Sequence, residues 1–196
     1  MSQQVEFFFD YGSPFSYLAD TQLAPLAQRT GAPVVYRPML LGAVLKETSN
    51  ASPMAVPAKG RYMGVELQRW ATRYGVPFAA NRFFPINTMK LMRGAVAAQQ
   101  AGCFAEYHRA IYPAFWVESA NLGEQEVIRS VLAKAGLDAD LILARIEEPE
   151  VKEQLRLNTE DAVRRGVFGA PTFFVGEEMF WGNDRLMFVE EALLRT

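Results

Sequence analysis

The sequence predicts an α/β protein, a mixed sheet interrupted by an all-helical insertion. Three observations lead there. Strand-like and helix-like stretches alternate over residues 5–38. A long middle stretch then carries helical periodicity, with Gly or Pro at most of its joints and no strand-like alternation. Strand chemistry returns only after Gly166.

Each element follows from local chemistry. "VEFFFD", Val5 to Asp10, is short, aromatic-rich and bounded by a Gly turn, which reads as a buried strand. Ser13 to about Arg29 reads as a helix: Ser13 suits the N-cap, Pro14 the first helical position and Gly31 the stop. "PVVYRP", Pro33 to Pro38, is a second strand, so the two strands should be parallel with a right-handed crossover. Helices are expected over Ala55–Gly75, Asn87–Gly102, Cys103–Trp116, Gly123–Gly136, Asp138–Glu148 and Glu150–Gly166. "PTFFV" (Pro171–Val175) and "MFW" (Met179–Trp181) then form a hairpin through the Gly176 turn. "NDRLMFVEEALLR" begins a last helix, with Asn183 or Asp184 as its cap. The order β-α-β, helical block, β-β-α is that of a thioredoxin-like fold with a helical domain between its halves. The expected division is residues 1–45 with 166–196 for the thioredoxin-like part, and 46–165 for the insertion.

Composition narrows the function. The chain has 196 residues, 50% hydrophobic and 21% charged, which suits one domain with an inserted subdomain and a full core. A formal net charge of -2 lacks the basic footprint that nucleic acid needs. No apolar run reaches the ~20 residues of a membrane span. "MSQQVEFFFD" has neither a basic start nor a small-residue cleavage site, so a cytoplasmic protein without a secretion signal is expected. Cys103 is the only cysteine and His108 the only histidine, which excludes an internal disulfide and a Cys/His metal cluster; no metal is expected. His108 reads as a structural histidine, at the surface or half buried, and Cys103 as an inert helix residue.

Three stretches carry candidate chemistry. In "SPFS", Ser13 to Ser16, a serine stands where thioredoxin-like redox proteins place a cysteine. A helix N-terminus offers unpaired N–H groups and partial positive charge, which with a hydroxyl can hold a thiolate supplied from elsewhere. Ser13 equally suits a plain N-cap. In "GAPT", Gly169 to Thr172, a proline enters a strand; a cis Ala170–Pro171 bond would leave the Ala170 backbone free to pair with an extended peptide ligand. In "WGNDRL", Trp181 to Leu186, strand end, Gly and helix cap meet. Asn183 and Asp184 there suit a ligand's carboxylate and ammonium, or helix capping alone.

"FDYGSPFSYLA", "RPMLLGAVLKETSN", "LQRWATRYGVP", "VFGAPTFFVG" and "EEMFWGNDRL" together resemble the blocks of the 2-hydroxychromene-2-carboxylate isomerase family, relatives of the kappa-class glutathione transferases and of DsbA-like proteins. The resemblance covers nearly the whole chain. It implies glutathione-dependent isomerisation of a chromene carboxylate to trans-o-hydroxybenzylidenepyruvate in aromatic hydrocarbon catabolism, by a cytoplasmic homodimer. Ser13 matches the family's active-site serine, and Ala170 the residue before its cis-proline. Trp181, Gly182, Asn183 and Asp184 match the glutathione-holding segment. Lys46 and Asn50 fall in its substrate-side loop. A substrate carboxylate needs a cation, for which Lys46, Lys59, Arg61 and Arg82 are candidates; Lys46 is preferred because it follows the second strand. A kappa-type transferase or peroxidase acting on another electrophile, and a non-enzymatic glutathione-binding module, use the same parts.

Overall fold

The computed structural model describes residues 3–195. Its sheet has four strands in the order β2-β1-β3-β4: β1 (Val5–Phe9), β2 (Val34–Pro38), β3 (Thr172–Val175) and β4 (Glu178–Trp181). β1 runs parallel to β2 and antiparallel to β3, and β3 pairs antiparallel with β4. This is the expected thioredoxin-like mixed sheet.

β1 is buried on both faces, which is why its run of phenylalanines is continuous. Phe7 stacks on Phe173 across the strand pair, ring centroids 5.2 Å apart, and with Phe9 it joins the main core. Phe8 points the other way into a smaller core with Met39, Val44, Ala162, Val167 and Phe174. That back layer is sealed by charge: Arg165 lies 3.7 Å over the Phe174 ring and bonds Glu6 at 2.8 Å, while Arg37 bonds Asp161 at 2.9 Å.

Helix α1 (Pro14–Thr30) starts with Ser13 as N-cap and ends at Gly31, as the sequence predicts. The helical stretch that follows contains α3 (Pro57–Tyr74), α4 (Met89–Ala101), α5 (Phe104–Trp116), α6 (Gln125–Lys134), α7 (Ala139–Arg145) and α8 (Pro149–Arg164). These agree with the expected helices to within a few residues. Before them comes α2 (Leu41–Glu47), a helix beyond those expected from the sequence, which places Lys46 on a helix rather than a loop. The expected division between residues 45 and 46 therefore falls inside α2. Because α8 brings Ala162 under the sheet, we propose that α2 and α8 belong to the thioredoxin-like unit. A further difference lies at the end: Asn183–Arg185 is a 3-10 turn and α9 (Leu186–Leu194) begins after it, so neither Asn183 nor Asp184 caps that helix.

α2 carries no capping signal of its own in the sequence. Its N-cap position is Leu40, which offers no side-chain acceptor. The Leu41 N–H instead donates to Asp10 Oδ2 at 2.9 Å. The same carboxylate accepts from the Gly12 N–H at 2.8 Å and from the Thr88 hydroxyl at 3.1 Å, at the start of α4. Gly12 is needed here, because a Cβ would stand 2.9 Å from Thr88 Cγ2.

Burial pushes the Asp10 carboxyl above its ordinary range, against the lowering effect of those three hydrogen bonds. Its folded value lies above the unfolded ~3.9, so the protonated group favours the fold, and that contribution is lost as pH rises through the folded value. Stability relative to Asp10→Asn should therefore be greatest at low pH and decline above the usual carboxylate range, read by denaturant unfolding. Asp10→Ala strands the part-buried Gly12 and Leu41 N–H groups and should cost about 1–3 kcal/mol near neutrality.

Candidate active site

The β1–α1 turn and the chain entering β3 bring Ser13 and Ala170 together. Ser13 is 4% exposed. Its Oγ accepts from the Ser16 N–H at 3.1 Å, the N-cap bond, and donates to the Ala170 carbonyl at 3.1 Å. The hydroxyl thus caps α1 and also spans to the opposite segment, a link between residues 157 apart in the chain. The Ala170–Pro171 bond is cis, and the Ala170 N–H meets no acceptor among the described residues. Ser16, in the first turn of α1, is fully buried.

Trp181 ends β4 with its indole across Gly169 and against Phe168, ring centroids 4.9 Å apart. It is 49% exposed, so one face of the ring is open. The Gly182 N–H donates to the Pro171 carbonyl at 3.0 Å, and Gly182 has φ 105°, a conformation that side chains resist. Asn183 is buried, and its Nδ2 has no partner among the described residues. Its carbonyl accepts from the Tyr74 hydroxyl at 2.8 Å, which ties the end of α3 to this turn. Asp184 is part-exposed and pairs with Arg185. Ser13, Ala170 and the 181–184 segment are therefore connected through β3, β4 and the Ser13–Ala170 bond.

Of the other two expected residues, Asn50 is tied to that group by a hydrogen bond and Lys46 has none to it. Asn50 donates through Nδ2 to the Phe168 carbonyl at 2.9 Å, which pins the segment after α2 to the chain leading into Ala170. Lys46 is exposed in the last turn of α2.

His108 departs from its expected surface or half-buried position, being 6% exposed at the centre of an aromatic cluster. Its two ring nitrogens meet the Tyr11 hydroxyl and Asp20 Oδ1, each at 2.9 Å. Neither nitrogen is left for Ser13, so the geometry gives no Ser-His-Asp triad. Burial drives the Tyr11 phenol well above its ordinary range, which keeps it neutral in this network.

Sequence reasoning missed a cleft of about 440 Å³ between the first turn of α1 and α3, lined by Phe15, Pro53, Lys59, Tyr62 and Met63 among others. The signal was present: Phe15 lies two residues past Ser13, and Lys59, Tyr62 and Met63 recur at helical spacing.

The DSBA-like thioredoxin domain model matches residues 4–194. The chain is 36% identical over 199 residues to a 2-hydroxychromene-2-carboxylate isomerase of Sphingobium xenophagum, covering 99% of this chain and 100% of that protein. It is 28% identical to glutathione S-transferase kappa 1 of Rattus norvegicus, over 93% of this chain and 87% of the relative. A solved 2-hydroxychromene-2-carboxylate isomerase structure superposes with a TM-score of 0.87 at 34% identity, covering 96% of this chain and 93% of that one.

Gly182→Ala should test how rigidly the turn is held. The residue would have to keep a positive φ and would meet the Asp184 carboxylate. A loss of about 1–3 kcal/mol in denaturant unfolding is expected.

Proposed function

The chain belongs to the DSBA-like thioredoxin domain family and to its 2-hydroxychromene-2-carboxylate isomerases, and from that premise we propose that it isomerises 2-hydroxychromene-2-carboxylate to trans-o-hydroxybenzylidenepyruvate with glutathione as cofactor. The observation that carries this reading is the Ser13 Oγ bond to the Ala170 carbonyl at 3.1 Å.

The residues present fit glutathione. The Ala170 N–H and carbonyl form the donor–acceptor pair that an extended peptide uses, and the N–H meets no acceptor among the described residues. Asn183 Nδ2 is a buried donor without a partner, suited to a ligand carboxylate. Asp184 supplies a carboxylate for the γ-glutamyl ammonium, in exchange for its contact with Arg185. Trp181 and Gly182 shape the wall of that subsite.

When bound, glutathione supplies a thiol nucleophile that adds to the chromene and departs after the ring has opened and the freed bond has turned. Ser13 does the electrostatic work. Its hydroxyl proton points at the Ala170 carbonyl in the free protein. A ligand N–H that takes this carbonyl releases the hydroxyl to donate to a sulfur anion, without disturbing the Ser16 N–H bond that caps α1. The partial positive charge of the helix N-terminus adds to the same stabilisation. With no cysteine at Ser13 or Ser16, the site cannot run dithiol exchange.

The kappa-class relatives favour one second reading, transfer of glutathione to another electrophile. Turnover of 1-chloro-2,4-dinitrobenzene with none of the chromene would establish it. We propose further that the protein is a cytoplasmic homodimer serving aromatic hydrocarbon catabolism, as the resemblance to this family implies; sedimentation at equilibrium should then return twice the chain mass.

Ser13→Ala should slow turnover by ~10²–10³ and raise the thiol pKa of bound glutathione, followed by thiolate absorbance. Ser13→Asp separates the two roles of the side chain. It keeps an N-cap acceptor but removes the donor to the Ala170 carbonyl and sets a negative charge against sulfur, so turnover should fall further than in Ser13→Ala. Unchanged turnover in both variants would reduce Ser13 to a cap. Asp184→Ala should weaken glutathione binding in calorimetry more than it lowers the saturated rate.

A further inference from the structure

The β1–α1 turn is tied within itself by Asp10. The Ser13 N–H donates to the Asp10 carbonyl at 2.9 Å, and the Gly12 N–H to the Asp10 side chain at 2.8 Å. Those bonds set the shape of the turn. They use neither the N–H nor the carbonyl of Tyr11, the first residue inside it. Groups in that position ordinarily point out to water.

Here water is excluded, because Tyr11 is fully buried. All three of its polar groups are answered from the helical insertion. Its N–H donates to Met92 Sδ on α4 at 3.3 Å, and its carbonyl accepts from Trp116 Nε1 at the end of α5 at 2.7 Å. Its hydroxyl meets His108 Nδ1 on α5 at 2.9 Å. The other ring nitrogen of His108 meets Asp20 Oδ1 on α1, also at 2.9 Å. Tyr11 precedes Ser13 and Asp20 follows it, so α5 grips the chain on both sides of the serine. Tyr112, one turn further along α5, packs edge to face on the Tyr11 ring with centroids 4.7 Å apart.

Resting on the reading of Ser13 as the group that stabilises the thiolate, we propose that Tyr11 is a positioning residue. Through its bonds to Met92, Trp116 and His108, the helical insertion sets the angle at which the turn presents the Ser13 hydroxyl. That angle is demanding. Ser13 Oγ meets the Ser16 N–H and the Ala170 carbonyl at once, each at 3.1 Å, and a small rotation of the turn would lose one of them. Tyr11 acts through Ser13 and not on a ligand.

Two variants loosen the clamp at different points. Tyr11→Phe removes the bond to His108. Met92→Leu keeps the bulk but leaves the Tyr11 N–H without an acceptor. The first measurement is hydrogen exchange at the Ser16 amide in the free protein. That amide lies in the first helical turn, where the Ser13 hydroxyl is its acceptor. Each variant should speed its exchange by ~10-fold more than that of amides in the middle of α1, whereas a merely less stable protein would speed both alike. With glutathione and the chromene carboxylate, each variant should lower kcat by ~10-fold and leave KM for glutathione within about twofold. The thiol pKa of bound glutathione, followed by thiolate absorbance, should rise. Added to Ser13→Ala, Tyr11→Phe should cost no further turnover, because both changes act through one hydroxyl. Three results would overturn the proposal: wild-type exchange at Ser16 in both variants, a lower melting temperature with kcat and thiol pKa unchanged, or fully additive losses in the double variant. The exchange measurement needs no thiol. A Ser13→Ala enzyme with full turnover would therefore strike the thiolate reading, and Ser16 exchange would still decide whether Tyr11 holds the serine in place.

Discussion

The Asp10 carboxylate is the point on which this architecture turns. It sits at the end of β1, almost without solvent, and holds the Gly12 N–H, the Leu41 N–H and the Thr88 hydroxyl at once. Those donors belong to the β1–α1 turn, the start of α2 and the start of α4. One anion therefore fixes the turn that presents Ser13, caps a helix that has no cap of its own, and docks the helical insertion against the sheet. The burial that raises its proton affinity is the cost of drawing three segments to a single acceptor. Nearby the Tyr11 carbonyl accepts from Trp116 Nε1 at 2.7 Å, and the Tyr11 hydroxyl meets His108, so the residues flanking the turn are held from the insertion side as well.

On this rigid turn a serine stands in the place of a redox cysteine, and the change alters what the site must do. A thiolate can rest at a helix N-terminus by itself, whereas a buried hydroxyl needs an acceptor for its proton. Ala170 provides one across the sheet, at a carbonyl whose position is set by the chain entering β3. The link joins the start of α1 to the chain entering β3, while the Ala170 N–H meets no acceptor among the described residues. Asn183 adds a buried amide that lacks a partner among the described residues. Under the proposed function, glutathione would supply acceptors for both the Ala170 N–H and the Asn183 amide.

α3 connects the two ends of the site. Its first turns wall the cleft beside Phe15, its Tyr74 holds the Asn183 carbonyl, and the residues after it accept from the Tyr17 hydroxyl at Pro77, at 2.6 Å. A shift of this helix would move the aromatic cleft and the 181–184 turn together. The back of the sheet is fixed differently: Arg37 and Arg165 lie against Phe8 and Phe174 while pairing with Glu6 and Asp161.

The sequence by itself determined what local chemistry determines. The phenylalanines of β1, the Ser13–Pro14 start of α1, the Gly166 boundary and the hairpin at Gly176 are all specified by neighbours within a few residues, and they were enough for the order of strands and helices that makes this fold. Ser13, Ala170 and the Trp181–Asp184 segment were legible for the same reason, since each sits on a short motif. Tertiary structure decided the rest. α2 was invisible because its cap is Asp10, far back in the chain. The start of α9 moved because Gly182 at φ 105° feeds a 3-10 turn and leaves Asn183 free of capping. His108 reads locally as an ordinary helix residue and becomes a buried bridge only when Tyr11 and Asp20 converge on it. The cleft of Lys59 exists only between two helices more than forty residues apart along the chain, and no pattern in either helix records the distance between them.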